Sequence, residues 1–127
     1  MSMSKITLVF VFLWSTYCFS KEVKIGFNYP ETGPYSVQGL DQLRAAQIAI
    51  DEINAQGGIL GSKIKLVKRD SKSDMATTRD NVIDLIENEK VKMVFGGSSS
   101  SVALIAGNES AKRKIPFFGT LTYQAFP

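Results

Sequence analysis

The feature that most constrains this sequence is a repeated alternation of short apolar segments with longer segments of helical periodicity. The short segments are typical of β-strands and the longer ones of α-helices. Strand–helix–strand order with connections of this length implies right-handed crossovers and a parallel sheet. The sequence therefore predicts an α/β fold with a doubly wound parallel sheet, whose strands cover residues 23–27, 63–70, 91–95 and 115–119.

Three helices are predicted between these strands, at about residues 37–56, 75–89 and 102–112. Gly57–Gly58 is expected to end the first helix, because glycine tolerates the left-handed cap. Ser73 or Asp74 is expected to cap the second. The first helix carries apolar residues at spacings of three and four, which predicts that they share one buried face: Leu40, Leu43, Ala46, Ile50 and Ile53. Four strand phenylalanines are expected to pack in the core: Phe27, Phe95, Phe117 and Phe118.

The first twenty residues have the pattern of a secretory signal peptide. Lys5 supplies a positive start, Ile6–Trp14 is almost entirely apolar, and a more polar segment follows. The apolar stretch is about half of the ~20 residues that a membrane span needs. Cleavage is expected after Ser20, leaving residues 21–127 as the mature domain. Lipidation at Cys18 is an alternative, although Tyr17 is a poor residue to precede a lipoprotein cysteine.

Composition excludes several kinds of site. The chain has no histidine and only one cysteine, Cys18. A Ser-His-Asp triad, a histidine-based zinc or haem site, an intramolecular disulfide and a thiolate metal cluster are therefore excluded. The net charge of +3 comes from scattered basic residues and forms no stripe for nucleic acid. No EF-hand or P-loop pattern is present. A carboxylate site for a hard cation is not excluded by composition, but we expect neither a cofactor nor a metal.

Ligands of doubly wound sheets bind outside the carboxyl ends of the strands. Three segments lie there in the predicted fold: Asn28–Gly39, Gly96–Ser101 and Thr120–Tyr123. The glycine- and serine-rich segment Gly96–Ser101 leads into a helix, so its free backbone N–H groups and hydroxyls suit a carboxylate or phosphate. An ordinary helix cap with extra serines is the alternative. Tyr35 and Tyr123 are further contact candidates.

The remaining chemistry favours a protein that is not an enzyme. A serine nucleophile without histidine would need a lysine base, and no Ser-x-x-Lys lies at a matching turn. Asp70 and Asp74 flank the turn after the second strand, where bonds to backbone N–H groups and helix capping are expected. Asn108 begins a glycosylation sequon, but it is placed on a helix.

The spacing of several motifs together resembles a known family. These motifs are Thr32-Gly33-Pro34 followed by Gly39, the segment from Ala46 through Asp51-Glu52-Ile53-Asn54-Ala55 to Gly61, Asp70, Gly96-Gly97 with Ser100-Ser101-Val102-Ala103, and Ile115-Pro116. Over residues 23–123 they look like periplasmic binding proteins of the branched-chain amino acid (Leu/Ile/Val) type. Such proteins feed a membrane ABC importer. The resemblance implies two lobes joined by a hinge, with this chain as part of the N-terminal lobe.

The resemblance also implies the ligand-binding residues. Gln38 aligns with a position that lies against the ligand and is often aromatic in the family. Ser99 and Ser100 align with the segment that holds the α-carboxylate. Leu121, Thr122 and Tyr123 align with a loop that contacts the carboxylate and the ammonium group, and a one-residue shift would bring in Thr120. The second lobe, which supplies the acidic partner of the ammonium group, lies outside this sequence.

The sequence thus predicts an extracytoplasmic solute-binding component of an ABC importer, periplasmic or secreted and truncated. The expected ligands are branched-chain amino acids or related small polar molecules, and the expected partner is a membrane permease. A ligand-binding ectodomain of a sensor or receptor with the same lobe fold is the alternative. A small flavodoxin- or reductase-type enzyme is a third reading, which the missing phosphate fingerprint opposes.

Overall fold

Strands and helices alternate strictly along the chain. The computed structural model describes residues 21–121, and the signal-peptide and Cys18 predictions lie outside them. The elements are β1 (Glu22–Tyr29), α1 (Ser36–Ala55), β2 (Lys63–Asp70), α2 (Met75–Glu87), β3 (Val94–Gly96), α3 (Ser100–Lys112) and β4 (Phe117–Gly119). Among residues 21–121 no helix combines the length and apolar character of a membrane span.

The four described strands form one parallel sheet in the order β2-β1-β3-β4. At its centre Phe27 of β1 is in register with Phe95 of β3, which is in register with Phe118 of β4. The connections after the strands place α1 on one face of the sheet and α2 and α3 on the other. The predicted α/β class and parallel, doubly wound arrangement are confirmed.

The face under α2 and α3 holds the hydrophobic core. Gly26 is the close-approach point of β1 there, since a Cβ atom would lie 3.2 Å from side-chain atoms of Leu85 and Val91. The core cluster consists of Val67, Val82, Leu85, Ile86, Val91, Val94 and Ala106. α2 contributes Val82, Leu85 and Ile86, which are buried, and Ile83 is half-buried.

The face under α1 is covered less completely. Ile50 is the only buried member of the predicted apolar stripe within the described chain, while Leu40 is 38% and Ile53 37% exposed. The ring of Phe27 stacks on Tyr29 and on Phe95, with centroids 4.5 Å apart in both pairs. The prediction that Phe118 packs in the core is wrong: it is 57% exposed, because α1 covers β1 and β2 and leaves β4 open.

The helix boundaries agree only in part with the prediction, since α2 ends at Glu87 instead of residue 89 and α3 begins at Ser100 instead of residue 102. Asp74 rather than Ser73 caps α2, and its carboxylate accepts from the backbone N–H of Thr77 at 2.7 Å. Gly57 and Gly58 have φ angles of 107° and 82° and end α1, with the N–H of Gly58 donating to the carbonyl of Ile53.

Three strand predictions differ from the structure. β4 begins at Phe117 instead of residue 115, β1 covers Glu22–Tyr29 instead of residues 23–27, and β3 covers Val94–Gly96 instead of residues 91–95. The segment before β3 still lies beside β1, since the N–H of Lys92 donates to the carbonyl of Lys24. It does so outside a regular ladder because Val91 donates back to the carbonyl of Leu85 at the end of α2. Apolar composition alone does not distinguish this connection from a strand.

The basic residues at the end of α3 pair with carboxylates. Glu109, 6% exposed, accepts from Lys112 at 2.8 Å and from Arg113 at 2.7 Å. Arg113 also reaches Glu87 of α2 at 2.6 Å, and Arg79 of α2 lies 3.5 Å from Glu109. These ion pairs join α2 to α3.

Candidate functional site

The loops at the carboxyl ends of the four described strands lie side by side, as the parallel sheet requires. They are residues 30–35 after β1, 71–74 after β2, 97–99 after β3 and 120–121 after β4. Each leads away from an adjacent strand, so residues far apart in sequence meet along one edge. We call this edge the carboxyl edge.

The serine-rich loop forms the start of α3. Ser99 is the N-cap, with extended φ and ψ of −151° and 162°, and its hydroxyl accepts from the N–H of Val102 at 3.4 Å. The same hydroxyl lies 3.2 Å from that of Ser101. The capping alternative is therefore correct for the Ser99 hydroxyl. Ser100, the first helical residue, is half-buried, and its backbone N–H does not take part in the cap.

The start of α3 favours an anion. The first N–H groups of a helix lack an intrahelical acceptor and lie at the positive end of its dipole. The first turn of α3 contains no acidic residue. The hydroxyl of Ser98, a residue 8% exposed, has no hydrogen-bond partner within the described chain. The loop can therefore donate hydrogen bonds to a carboxylate without meeting a like charge.

Asp70 ties the first two loops together, which confirms its predicted structural role. Its carboxylate accepts from the N–H groups of Glu31, Thr32 and Lys72 at 3.0, 3.2 and 2.8 Å. It also accepts from the Thr32 hydroxyl at 2.6 Å. Burial opposes its ionisation, but these four hydrogen bonds outweigh burial and lower the pKa of Asp70.

A buried amide network continues beneath the loops. Asn28, 1% exposed at the end of β1, donates from its side chain to the Thr78 hydroxyl at 3.3 Å. Asn81 donates to the Asn28 side-chain oxygen at 3.0 Å and to the backbone carbonyl of Asp70 at 2.8 Å. The Asn28 backbone carbonyl in turn accepts from the N–H of Gly97 at 3.1 Å. Sequence analysis missed this network.

Gln42 of α1 reaches the third and fourth loops. Its amide nitrogen donates to the carbonyl of Gly97 at 3.2 Å, and its amide oxygen accepts from the hydroxyl of Thr120. The N–H of Thr120 also donates to the carbonyl of Gly96 at 3.0 Å. Gln42 was missed as well; the sequence signal was its place one helical turn after Gln38, on the same face.

The four predicted site residues that the structure describes lie at the carboxyl edge or next to it. Gln38 is exposed in the first turn of α1, Ser99 and Ser100 begin α3, and Leu121 follows β4 with 48% exposure. Within the described chain the side chains of these four residues make no hydrogen bonds to one another. Thr122 and Tyr123 lie outside the described residues, so their predicted contacts stay predictions. Tyr35, a further candidate, is the N-cap residue of α1. Its side chain makes no capping hydrogen bond, and the residue is 41% exposed.

Tyr29 lies directly below this edge. It is completely buried, and its hydroxyl has no hydrogen-bond partner among the described residues. Burial, with the nearby Glu31 and Asp70 carboxylates, raises the pKa of Tyr29 to about 12. The phenol therefore stays neutral and can only donate or accept a hydrogen bond.

Two grooves flank β4, away from the serine loop. One runs along α3 past Gly107 and Phe117, and the other lies between α1 and Phe118. Their walls are largely apolar, and the groove next to α1 reaches Thr120 of the loop after β4. Among residues 21–121 no group of three or more His, Cys, Asp or Glu side chains is arranged to hold a metal ion.

Comparison with known proteins identifies relatives of the whole described domain. Residues 22–126 match the family model described as periplasmic binding protein. A Leu/Ile/Val-binding protein homolog 7 from Brucella abortus is 37% identical over 99 residues, which cover 78% of this chain and 25% of the relative. The chain thus spans about a quarter of the length of the curated relative that it matches.

Solved structures share the fold. The branched-chain amino acid transporter substrate binding protein LivJ from Streptococcus pneumoniae, in complex with isoleucine, superposes with a TM-score of 0.79 at 36% identity, covering 82% of this chain and 30% of that one. A solute binding protein of an ABC transporter from Rhodopseudomonas palustris, in complex with 3,4-dihydroxybenzoic acid, gives a TM-score of 0.69 at 26% identity, covering 80% and 27%.

Proposed function

Because the chain belongs to the periplasmic binding protein family, we propose that it is the extracytoplasmic solute-binding component of an ABC importer. Its ligands are branched-chain amino acids or related small polar molecules, which it delivers to a membrane permease. The mechanism involves no chemical reaction: the protein captures the ligand, closes around it and releases it at the permease. The signal-peptide pattern of residues 1–20, with cleavage after Ser20, agrees with this location.

The observation that carries the proposal is the acid-free start of α3 at the carboxyl edge. Isoleucine and 3,4-dihydroxybenzoic acid, the ligands of the two solved relatives, differ in shape but share a carboxylate. A helix N-terminus with free N–H groups suits that shared group. The side chain of the ligand is then free to vary, and other parts of the protein select it.

We assign roles to the predicted residues on this basis. Because the Ser99 hydroxyl caps α3, the carboxylate binds to the N–H and hydroxyl of Ser100 and to neighbouring N–H groups. Gln38 lies beside the ligand and offers an amide instead of an aromatic ring. Leu121, Thr122 and Tyr123 contact the ligand from the loop after β4.

The whole-protein arrangement is part of the proposal. The family resemblance implies a second lobe that closes over the ligand by a hinge motion. The described loops belong to one lobe, and a site enclosed on one side buries only part of a ligand. We therefore expect residues 21–127 alone to bind isoleucine weakly.

Nuclear magnetic resonance detects such weak binding. L-isoleucine titrated into the ¹⁵N-labelled protein should shift the backbone amides of Ser100, Ser101 and Thr120 in a saturable way. 3,4-Dihydroxybenzoate should shift the α3 amides too, and isoleucinamide, which lacks the carboxylate, should not. An absence of saturable shifts up to the solubility limit of both acids would overturn the proposed ligand class.

Two substitutions of Ser100 distinguish the contribution of its backbone N–H from that of its hydroxyl. Ser100→Ala removes the hydroxyl alone, whereas Ser100→Pro also removes the N–H. Proline is well tolerated at the first helical position, and Ser99 already has the extended conformation that proline requires of its neighbour. We expect Ser100→Pro to weaken isoleucine binding about tenfold, because a hydrogen bond to a charged group is lost. Equal affinities for the two variants would contradict the carboxylate assignment.

Uptake measurements test the transport role. Cells of the source organism that lack this gene should take up labelled isoleucine more slowly than the parent, and the gene supplied in trans should restore the rate. Unchanged uptake of all branched-chain amino acids would oppose an importer and favour the sensor alternative.

A further inference from the structure

Gln42 is the point at which α1 is attached to the third and fourth loops. Only two side chains of α1 in the described chain make hydrogen bonds beyond the helix, Gln42 and Asn54. Asn54 attaches the end of α1 to β2, since its side chain accepts from the N–H of Ile64 at 2.7 Å and donates to its carbonyl at 2.9 Å. Gln42 attaches the opposite end. Its two bonds therefore help to set where the first turn of α1 stands.

Both bonds of Gln42 fall on the segments that flank the proposed site. Gly97 lies two residues before the Ser99 cap, and Thr120 precedes Leu121. The two loops already touch through the N–H of Thr120 and the carbonyl of Gly96. Gln42 adds a third element to that pair through Gly97 and the Thr120 hydroxyl. Gln38 stands one turn earlier on the same helix face.

We propose that Gln42 is a positioning residue, which holds α1, the serine loop and the loop after β4 in the arrangement that receives the ligand. The link between Gln42 and ligand binding rests on the proposed function, whereas the contacts by which Gln42 holds the loops do not. The amide acts through the groups it holds and does not itself touch the ligand. Glutamine suits the task because one side chain must both donate to the Gly97 carbonyl and accept from the Thr120 hydroxyl.

Two substitutions in the same helix provide the test. Gln42→Met keeps a side chain of similar length and loses both bonds. Gln47→Met is the matched control, because in the part of the chain that the structure describes the Gln47 amide bonds only to Asp51 of the same helix, at 3.0 Å. Gln42→Glu is a milder variant, which still accepts from Thr120 and cannot donate to Gly97 when ionised.

The first readout needs no ligand. Gln42→Met should shift the amides of Gly97, Ser99 and Thr120 together and speed their hydrogen exchange, while amides around Val82 and Leu85 in the core stay as in the parent. Gln47→Met should leave both regions unchanged. Loops unaffected by Gln42→Met, or a loss of protection spread equally through the core, would overturn the positioning role, whatever happens with ligands.

The second readout is affinity. Gln42→Met should weaken isoleucine binding about fivefold, because the loops that receive the ligand are held less firmly once both hydrogen bonds are lost. Gln42→Glu should weaken binding less, and Gln47→Met should not weaken it. Unchanged affinity with displaced loops would overturn the link to ligand binding. If the parent protein binds no isoleucine, the proposed function fails, and the ligand-free readout still decides whether Gln42 holds the loops.

Discussion

The backbone carbonyl of Asn28 fills the space that a Cβ atom on residue 96 would need. Gly96 adopts a φ of 127°, and its Cβ position would lie well inside 3.0 Å of that oxygen. Gly96→Ala therefore forces β1 and β3 apart at the carboxyl edge. We expect the free energy of unfolding to fall by about 3 kcal/mol, combining backbone strain with overpacking, as measured by urea denaturation.

Gly61→Ala separates the clash from the strain. Gly61 also has a positive φ, 78°, but no atom lies within 4 Å of its Cβ position. We expect a loss of about 1 kcal/mol there, from the left-handed conformation alone. Equal losses at the two glycines would mean that the Asn28 carbonyl yields easily.

Asp70 should make stability depend on pH. Its folded pKa is lowered, so its contribution is present above the unfolded value of about 3.9 and is lost as pH falls through the folded value. Asp70→Asn should cost about 1–2 kcal/mol at pH 7, because the loop N–H groups lose an ionised acceptor. Unfolding curves at pH 7 and at pH 3 should differ less for the variant than for the parent.

Asp41→Asn is the control for this change. Among residues 21–121 Asp41 pairs only with Arg44, at 2.7 Å, and the two side chains are 65% and 73% exposed. An exposed pair of this kind contributes little. A pH dependence of unfolding that is the same in the Asp70 variant and the parent would rule out Asp70 as its source.

Glu109 should couple α2 to α3 through its charge. Hydrogen bonds from Lys112 and Arg113 hold the pKa of Glu109 below its usual range. Glu109→Gln leaves three cations near a neutral group, so the urea midpoint should fall at pH 7. The difference from the parent should shrink on acidification, as the parent carboxylate becomes protonated. The exposed Glu52 provides a comparison: Glu52→Gln should move the midpoint much less.

Phe118 should promote self-association. It lies on β4, the outer strand of the described sheet, beside the apolar groove next to α1. An open strand edge with apolar neighbours is an aggregation hazard, and a charge on it is a common remedy. Phe118→Lys should lower the fraction of oligomer in sedimentation velocity. Leu60→Lys, at a fully exposed turn residue, should not; an identical profile for both variants would contradict this role of Phe118.

Local signals predicted most of the scaffold. β2 has the predicted bounds, and α1 differs by one residue at each end, because glycines and a regular apolar period mark the ends of α1. The predicted start of β3 is too early, since residues 91–93 are apolar enough for a strand. The N–H of Val91 instead bonds back to the carbonyl of Leu85 at the end of α2. The prediction that Phe118 is buried is wrong because the exposure of a residue depends on which elements cover it. The composition of a strand does not reveal that.

The polar contacts of the carboxyl edge were only partly predictable. Asp70 was recognised because aspartate after a strand commonly bonds nearby N–H groups. The role of Gln42 depends on Gly97 and Thr120, 55 and 78 residues further along the chain. Such contacts are set by the packing of whole elements, so the sequence near Gln42 indicates at most that it shares a helix face with Gln38, and not which loops it contacts.

The strand order has a consequence for assembly. β2 pairs with one side of β1, β3 pairs with the other, and β4 then joins β3. Each strand attaches to an edge that earlier residues have already built, and none has to be inserted between two paired strands. A chain made from its N-terminus can therefore grow its sheet outward from β1 in the order in which the residues emerge, without undoing any pairing along the way.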